Sequence, residues 1–332
     1  YTTGNTLSLH DALPISRENL QAAAISLTAQ LASVYYQLKE QRGQLAILDN
    51  QVEILSNTLE VIKTRFRRGQ VDSLDVFQQE RLLEARKGNR YDVLSRIAVL
   101  EHTLAILVGR EPISAEFTTG AELPDLPAMP NSGIPAKLIQ RRPDVRSAYA
   151  TLLAADRRTA VAVADQLPVL RLTGSLRSDV REPDLLFDSW VASLAAGLTQ
   201  PLFDGGLRRE EVKRTRATAE AQLNNYTLTV LTALKEVEDA LIQEQQQIQT
   251  ITSLRRQLEL AKAAVEQSRE RYLRGAGNFL RVLDAQQTLQ SLERTLLSAR
   301  REQIDFRIDL ARALAGELAL TPPEAYPEYR IQ

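Results

Sequence analysis

The chain predicts a mainly α fold with a small β part, in which long antiparallel coiled-coil helical hairpins form an internal repeat and one β-hairpin accompanies them. Three observations carry this. A 3-4 apolar spacing runs Leu45, Leu48, Val52, Leu55, Leu59, Ile62, Phe66, reaches Arg68-Gly69, and resumes through Leu74, Val76 and Leu83. The same spacing returns at Ile251, Leu254, Leu258, Ala261, Val265, Ser268, Tyr272, reaches Arg274-Gly275, and resumes through Leu280, Val282 and Leu289 without a gap. Between the two copies, Leu170–Arg177 and Trp190–Leu202 alternate with period 2, which is the strand period rather than the helical one. A duplicated helix–turn–helix is far more often a structural part than an enzyme.

In chain order, residues 1–16 lack the apolar periodicity that follows, and they lack the basic and apolar regions of a signal peptide. They read as a foreign or disordered N-terminal segment. Residues 17–110 form the first helical hairpin. Its outgoing helix spans Arg17 to Arg67, weakened at Gly43. Asp72 or Ser73 caps the return helix, which runs to Val108 and ends at Gly109, with Pro112 shortly after. Residues 111–166 hold a Pro-rich link (Pro112, Pro124, Pro127, Pro130, Gly133). A helix then begins near Pro143, carries Val145, Ala148, Leu152 and Ala155 on one side, and ends before Pro168. Residues 167–204 are the strand pair, each strand about ten residues or slightly more, the length of a tilted membrane strand. Residues 205–316 form the second hairpin, from Leu207 to Arg274 and from Asn278 to Ala315. Residues 317–332 are a C-terminal tail.

Composition excludes several function classes. There are 41 Lys+Arg against 42 Asp+Glu, so there is no basic excess for nucleic acid. Cysteine is absent, which rules out disulfides, thiolate metal sites and cysteine nucleophiles. The two histidines, His10 and His102, show no metal-ligand spacing, and no nucleophile–base pair is visible. No catalytic residue, cofactor or metal is expected. No run of 18 apolar residues exists, so no transmembrane helix is expected. Two strands cannot close a barrel, and their free edges would be costly in lipid. Membrane strands would therefore need partners from other chains or from a missing segment.

Several segments together resemble the outer membrane factor family, the TolC/OprM-type channels of bacterial tripartite efflux pumps, and most of all its NodT-like lipoprotein branch. Residues Ile134 to Arg146 (IPAKLIQRRPDVR) are similar to its "IPxxLLxxRPDI" segment, Pro168 to Ser175 (PVLRLTGS) to its strand entry, and Pro201 to Gly206 (PLFDGG) to its strand exit. Arg271-Tyr272-Leu273-Arg274-Gly275 followed by Leu283-Asp284-Ala285-Gln286 resembles its helical tip. The resemblance implies a homotrimer with a twelve-stranded outer-membrane barrel on a helical periplasmic barrel. Implied partners are a periplasmic membrane fusion (adaptor) protein, an inner-membrane pump of the RND type, and outer-membrane lipid. It also implies that a first strand pair, a signal peptide and a lipidated cysteine would lie upstream of Arg17.

By the same resemblance, Asp284 is a periplasmic-gate residue, three copies of which would make an acidic ring; otherwise it is a solvated carboxylate near a helix start. Leu280, four residues earlier on the same face, either closes the tip or packs as an ordinary coiled-coil leucine. Arg281 stands where the family often has a second acid. Tyr272 and Asp75 resemble positions that link the hairpins in closed channels, or else are a packed tyrosine and an exposed carboxylate. Arg68, Gly69, Arg274, Gly275 and Gly277 form adaptor-docking tips, the glycines serving turns with φ > 0. Trp190 is either a membrane-interface anchor or a core tryptophan. The implied function is an outer membrane exit duct for drugs or other solutes. Alternatives are a type I secretion or metal-efflux outlet of the same family and, from another class, a soluble coiled-coil scaffold.

Overall fold

The computed structural model describes residues 9–112, 117, 120–128, 140–177 and 190–315. Five helices and two strands follow in order: α1 Leu9–Arg67, α2 Ser73–Leu107, α3 Pro143–Ala164, β1 Val169–Arg177, β2 Val191–Thr199, α4 Leu207–Leu273 and α5 Phe279–Ala313. Residues 1–8 and 317–332, and the Pro130–Gly133 part of the link, lie outside the described residues. So does the 134–139 part of the IPAKLIQRRPDVR segment. The helix start differs from expectation: α1 begins at Leu9 and not at Arg17, and it contains Pro14. Adding residues to an existing helix gains one bond per residue fixed, so the established downstream helix propagates through this stretch, although Pro14 has no N–H to give the His10 carbonyl.

The chain divides into two compact units, Tyr1–Leu20 with Pro143–Thr232, and Gln21–Arg142 with Ala233–Gln332. The second unit holds both hairpins except α1 up to Leu20 and the Leu207–Thr232 part of α4, which belong to the first. Its main apolar cluster joins Leu55, Leu59 and Ile62 of α1, Val76, Leu82 and Leu83 of α2, and Phe279, Val282 and Leu283 of α5. Further along, Val34 and Leu38 pack on Leu104, and Val237 and Ala240 pack on Leu310 and Ala313. Burial of a Leu or Ile at such seams contributes on the order of 2 kcal/mol.

The repeat extends beyond the apolar spacing. Gly109 and Ala315 are equivalent, and both adopt positive φ, 72° and 59°. Leu104 and Leu310 are equivalent and buried. Leu38 and Glu244 are also equivalent, and both are 0% exposed. Glu244 is compensated by Arg307, whose Nε lies 2.8 Å from Glu244 Oε2.

The proline-rich link is tied to this unit by arginines. Arg42 donates to Phe117 O (2.6 Å), Arg300 to Leu123 O (3.2 Å) and Arg307 to Pro127 O (3.1 Å). The Leu123 side chain is buried with Ile304 and Ile308. This explains Gly43, which does not break α1. A Cβ there would stand 2.8 Å from Leu297 Cδ2 and 3.3 Å from the Ala121 carbonyl of the link. The glycine is a close-approach residue. Arg142 closes the link, donating to Glu236 (2.8 Å) and to Ala313 O (3.2 Å).

In the first unit α3 starts at Pro143, with Asp144 Oδ1 accepting from the Val145 N–H at 2.8 Å. Val145 and Ala155 are buried. Arg146 pairs with Glu18, and Ser147 donates to Asn19. β1 and β2 form an antiparallel ribbon from Val169↔Thr199 to Arg177↔Val191. The second strand therefore stops short of Leu202: Thr199 is followed by Gln200 and Pro201, and proline offers no ladder donor.

Two substitutions test this packing by urea unfolding. Ala315→Gly relieves a left-handed alanine and is expected to stabilise by about 1 kcal/mol. Gly43→Val forces α1 away from Leu297 and the link, with an expected loss of about 1–3 kcal/mol.

Candidate functional site: hairpin tips and strand ribbon

Both hairpin turns are built the same way. At the first, the Gly69 N–H bonds Phe66 O (2.9 Å) and the Gln70 N–H bonds Arg65 O (3.0 Å). At the second, the Gly275 N–H bonds Tyr272 O (3.0 Å) and the Ala276 N–H bonds Arg271 O (2.9 Å). With φ of 67° and 73° at the two glycines, these are Schellman caps that satisfy the last helix carbonyls. The two tips lie side by side, because residues flanking each turn share one apolar cluster.

Gly277 does not fit the expected role, since its φ is not positive. A Cβ there would meet Tyr272 N at 3.2 Å and Arg271 C at 3.3 Å. Its small size lets the turn fold back on the helix end. The return helices also start differently. Asn278 accepts from the Leu280 N–H at 3.0 Å, whereas Asp72 caps by backbone conformation alone and its carboxylate accepts from Ser73 Oγ at 3.2 Å.

Tyr272 lies between Phe279 (ring centroids 5.3 Å apart) and the Arg65 guanidinium, 5.3 Å from its centroid. Its hydroxyl is buried and makes no hydrogen bond among the described residues. The expected link from Tyr272 to Asp75 is thus not made here. Burial, reinforced by Asp72, pushes the Asp75 carboxyl above the ordinary aspartate value of 3.8. Asp284 and Arg281 are exposed, as are Arg68 and Arg274. Leu280 is 49% exposed; it is not packed in this chain's core and stands free on the Asp284 face. Two residues at the tip were missed by the sequence reading: Phe279 and Arg65. The apolar type of Phe279 is a signal, but its burial depends on the neighbouring hairpin.

The ribbon has two chemically distinct faces. Leu170↔Leu198, Leu172↔Ala196, Gly174↔Leu194 and Leu176↔Ala192 form one, entirely apolar. Arg171, Thr173, Ser175, Arg177, Ser193 and Thr199 mark the other, where the Ser175 and Ser193 hydroxyls lie 2.7 Å apart. Every residue of both strands is exposed. Trp190, just before β2, is 47% exposed and so is not a core residue. No helix of the described residues is long and apolar enough to cross a membrane.

A family profile described as "Outer membrane efflux protein" matches residues 134–316, more than half of the chain. Nodulation protein T of Rhizobium leguminosarum bv. trifolii is 28% identical over 302 residues, covering 90% of this chain and 65% of that protein. The pyoverdine export outer membrane protein OpmQ of Pseudomonas aeruginosa is 29% identical over 309 residues, covering 92% and 65%. The chain thus spans slightly less than two thirds of the length of these curated relatives. Among solved structures, the outer-membrane channel OprN superposes with a TM-score of 0.82 at 28% identity, covering 91% of this chain and 69% of that one. The open-state MtrE channel of Neisseria gonorrhoeae gives 0.80 at 26%, covering 93% and 71%. These neighbours place the long hairpins and the β-hairpin in the fold of TolC-like outer membrane channels.

Asp75 provides a pH test. Its folded-state pKa lies above 3.8, so the folded chain holds the proton more tightly than the unfolded one. Stability is therefore lost as pH rises from the ordinary aspartate value through the folded one, and the penalty is complete at neutral pH. Asp75→Asn is expected to raise the unfolding midpoint at pH 7. The difference from the parent should vanish below the ordinary aspartate value in thermal melts across pH.

Proposed function

Given that the chain belongs to the outer membrane efflux protein family, we propose that it is the outer membrane channel subunit of a tripartite, RND-type efflux pump. In this role it is a passive exit duct for drugs or other solutes across the periplasm and outer membrane of a Gram-negative bacterium. Among the relatives, OpmQ is named for pyoverdine export and TtgI of Pseudomonas putida for toluene efflux.

The observation that carries the reading is the two-faced ribbon. Its apolar face suits lipid and its Arg, Ser and Thr face suits an aqueous lumen. In lipid both outer edges must find hydrogen-bonding partners. The remaining strands of the twelve-stranded barrel that the family resemblance implies supply them in a homotrimer, with Trp190 at the headgroup level. A soluble scaffold has no use for such a ribbon, and an enzyme would need a catalytic constellation.

At the tips, the exposed Arg68 and Arg274 beside the low-profile turns at Gly69, Gly275 and Gly277 form the docking surface for a periplasmic adaptor. Asp284 and Leu280 face the threefold axis, with Arg281 beside them. Three Asp284 carboxylates around one constriction concentrate cations. The free Tyr272 hydroxyl is available to donate to Asp75 when the tips rearrange between closed and open states.

The oligomer is tested by light scattering of the full-length protein in detergent, where a trimer is expected; a stable monomer needing no detergent would overturn the reading. In planar bilayers, Asp284→Ala is expected to lower cation preference and weaken block by multivalent cations. Leu280→Gly is expected to raise single-channel conductance. Unchanged conductance and selectivity would remove the gate assignment while leaving the channel itself standing.

A further inference from the structure

Away from the tips, the hairpin unit contains a polar groove of about 370 Å³ between α1, α2 and α5. Arg86 of α2 and Arg294 of α5 both line it, with Gln44, Ser291, Thr295 and Ser298. The partners of the two arginines are neutral. Arg86 Nε donates to Gln290 Oε1 at 3.0 Å, and Arg294 Nε donates to Gln44 Oε1 at 3.1 Å. One N–H of each guanidinium is thereby used, which leaves the four terminal N–H groups of each fork.

Elsewhere in this unit, partly or fully buried arginines meet acids: Arg42 with Glu101, Arg142 with Glu236, Arg301 with Glu40, and Arg307 with Glu244. Neither Arg86 nor Arg294 meets a carboxylate among the described residues. The neighbouring acids are otherwise engaged. Glu40 accepts from Ser298 (2.6 Å) and pairs with Arg301 (3.1 Å), while Glu293 accepts from Gln51 (3.3 Å). Burial, and then the nearby Arg294, lower the Arg86 pKa from its ordinary value. The two positive charges are therefore held close together without compensation.

We propose that this groove is a binding site for a small oxyanion of the phosphate or sulfate class, bridged by the Arg86 and Arg294 guanidinium groups. A tetrahedral oxyanion offers acceptors to two forks at once and removes the mutual repulsion of two partly desolvated cations. The exposed Ser291 hydroxyl lines the groove, where it can donate a neutral hydrogen bond without adding charge, whereas the Thr295 hydroxyl already donates to Ser291 O at 2.9 Å. Gln44 and Gln290 hold the two forks in place from behind. The site is separate from the tips and from the ribbon, so its failure leaves the channel reading untouched.

Inorganic phosphate is the probe, added to the full chain purified in detergent and buffered in chloride at matched ionic strength. Titration calorimetry and thermal melts are read together. A saturable binding isotherm is expected, with the unfolding midpoint raised by roughly 2–4 °C at saturation. Phosphate also stabilises proteins generally by exclusion from their surfaces, and that response rises without saturating, so the variants decide. Arg86→Gln and Arg294→Gln should each weaken phosphate binding by at least about tenfold and abolish the saturable rise. In phosphate-free buffer each should match or exceed the parent's midpoint, because one of two repelling charges is gone. Should either fail to fold, Arg86→Lys keeps the charge and loses the fork, and weaker saturable binding is expected. A non-saturating phosphate response shared by parent and variants would overturn the proposal. So would saturable binding that survives both glutamine substitutions. Absence of binding in the parent assembly, as when a carboxylate of a second copy occupies the groove, overturns it as well.

Discussion

The hairpin unit depends on cross-links between helix surfaces that apolar packing alone would leave free to slide. Four glutamine side chains reach across to backbone carbonyls of a facing helix: Gln44 to Arg294 O, Gln51 to Gln290 O, Gln79 to Leu55 O and Gln247 to Ala299 O. A helical carbonyl already bonded within its own helix has a second lone pair, so each contact is added without breaking the ladder. Each contributes only about 1 kcal/mol. Their larger effect is on register: sliding α1 against α5 by one turn would bury the Gln44 and Gln51 amides without partners, at a cost of about 1–3 kcal/mol apiece, and Gln79 and Gln247 fix α2 on α1 and α4 on α5 in the same way. The apolar cluster at the tips then has one alignment in which both turns lie level.

The two repeats follow the same path with different chemistry along it. Leu38 and Glu244 occupy equivalent, fully buried positions, and so the partner positions differ as well: Glu101 in the first copy pairs with Arg42, Arg307 in the second with Glu244. Both pairs end on a carbonyl of the link, Phe117 or Pro127. A buried ion pair gives little net stability against an apolar alternative. It does fix direction, and here it holds an irregular segment whose own side chains bury little. At the tips, Val71 packs on the cluster where its counterpart Gly277 folds close to the helix end. The duplicated hairpins are thus equivalent in backbone and distinct in surface, as an inner and an outer hairpin in one wall would need to be.

The ribbon obeys a different constraint. Nine paired residues with one wholly apolar face and no cover from the described chain make a surface that is unstable in water and incomplete in lipid. The helices satisfy their backbone internally, whereas the ribbon leaves both outer edges without backbone partners among the described residues.

Much of this was legible in the sequence because it rests on short-range rules. The 3-4 spacing fixed which faces of α1 and α4 turn inward. Arg-Gly at each turn specified a left-handed cap, and period 2 from Leu170 and from Trp190 specified the strands and their two faces. The spacing failed where partners are distant in the chain. It put Phe66, Leu74 and Leu280 into the apolar stripe, yet all three are exposed, because the stripe shifts at each turn to face the other hairpin. It read Gly43 as a weak point, since the link that crowds it is 78 residues away at Ala121. It read Gly277 as a φ > 0 turn, when the constraint is a steric approach to Arg271 and Tyr272. The pairing of Arg86 with Arg294 had no local signal at all, since like charges on two helices become neighbours only when the helices pack. Periodicity encodes what a residue's own helix does with it; which side chains meet across helices is decided only by the packed structure.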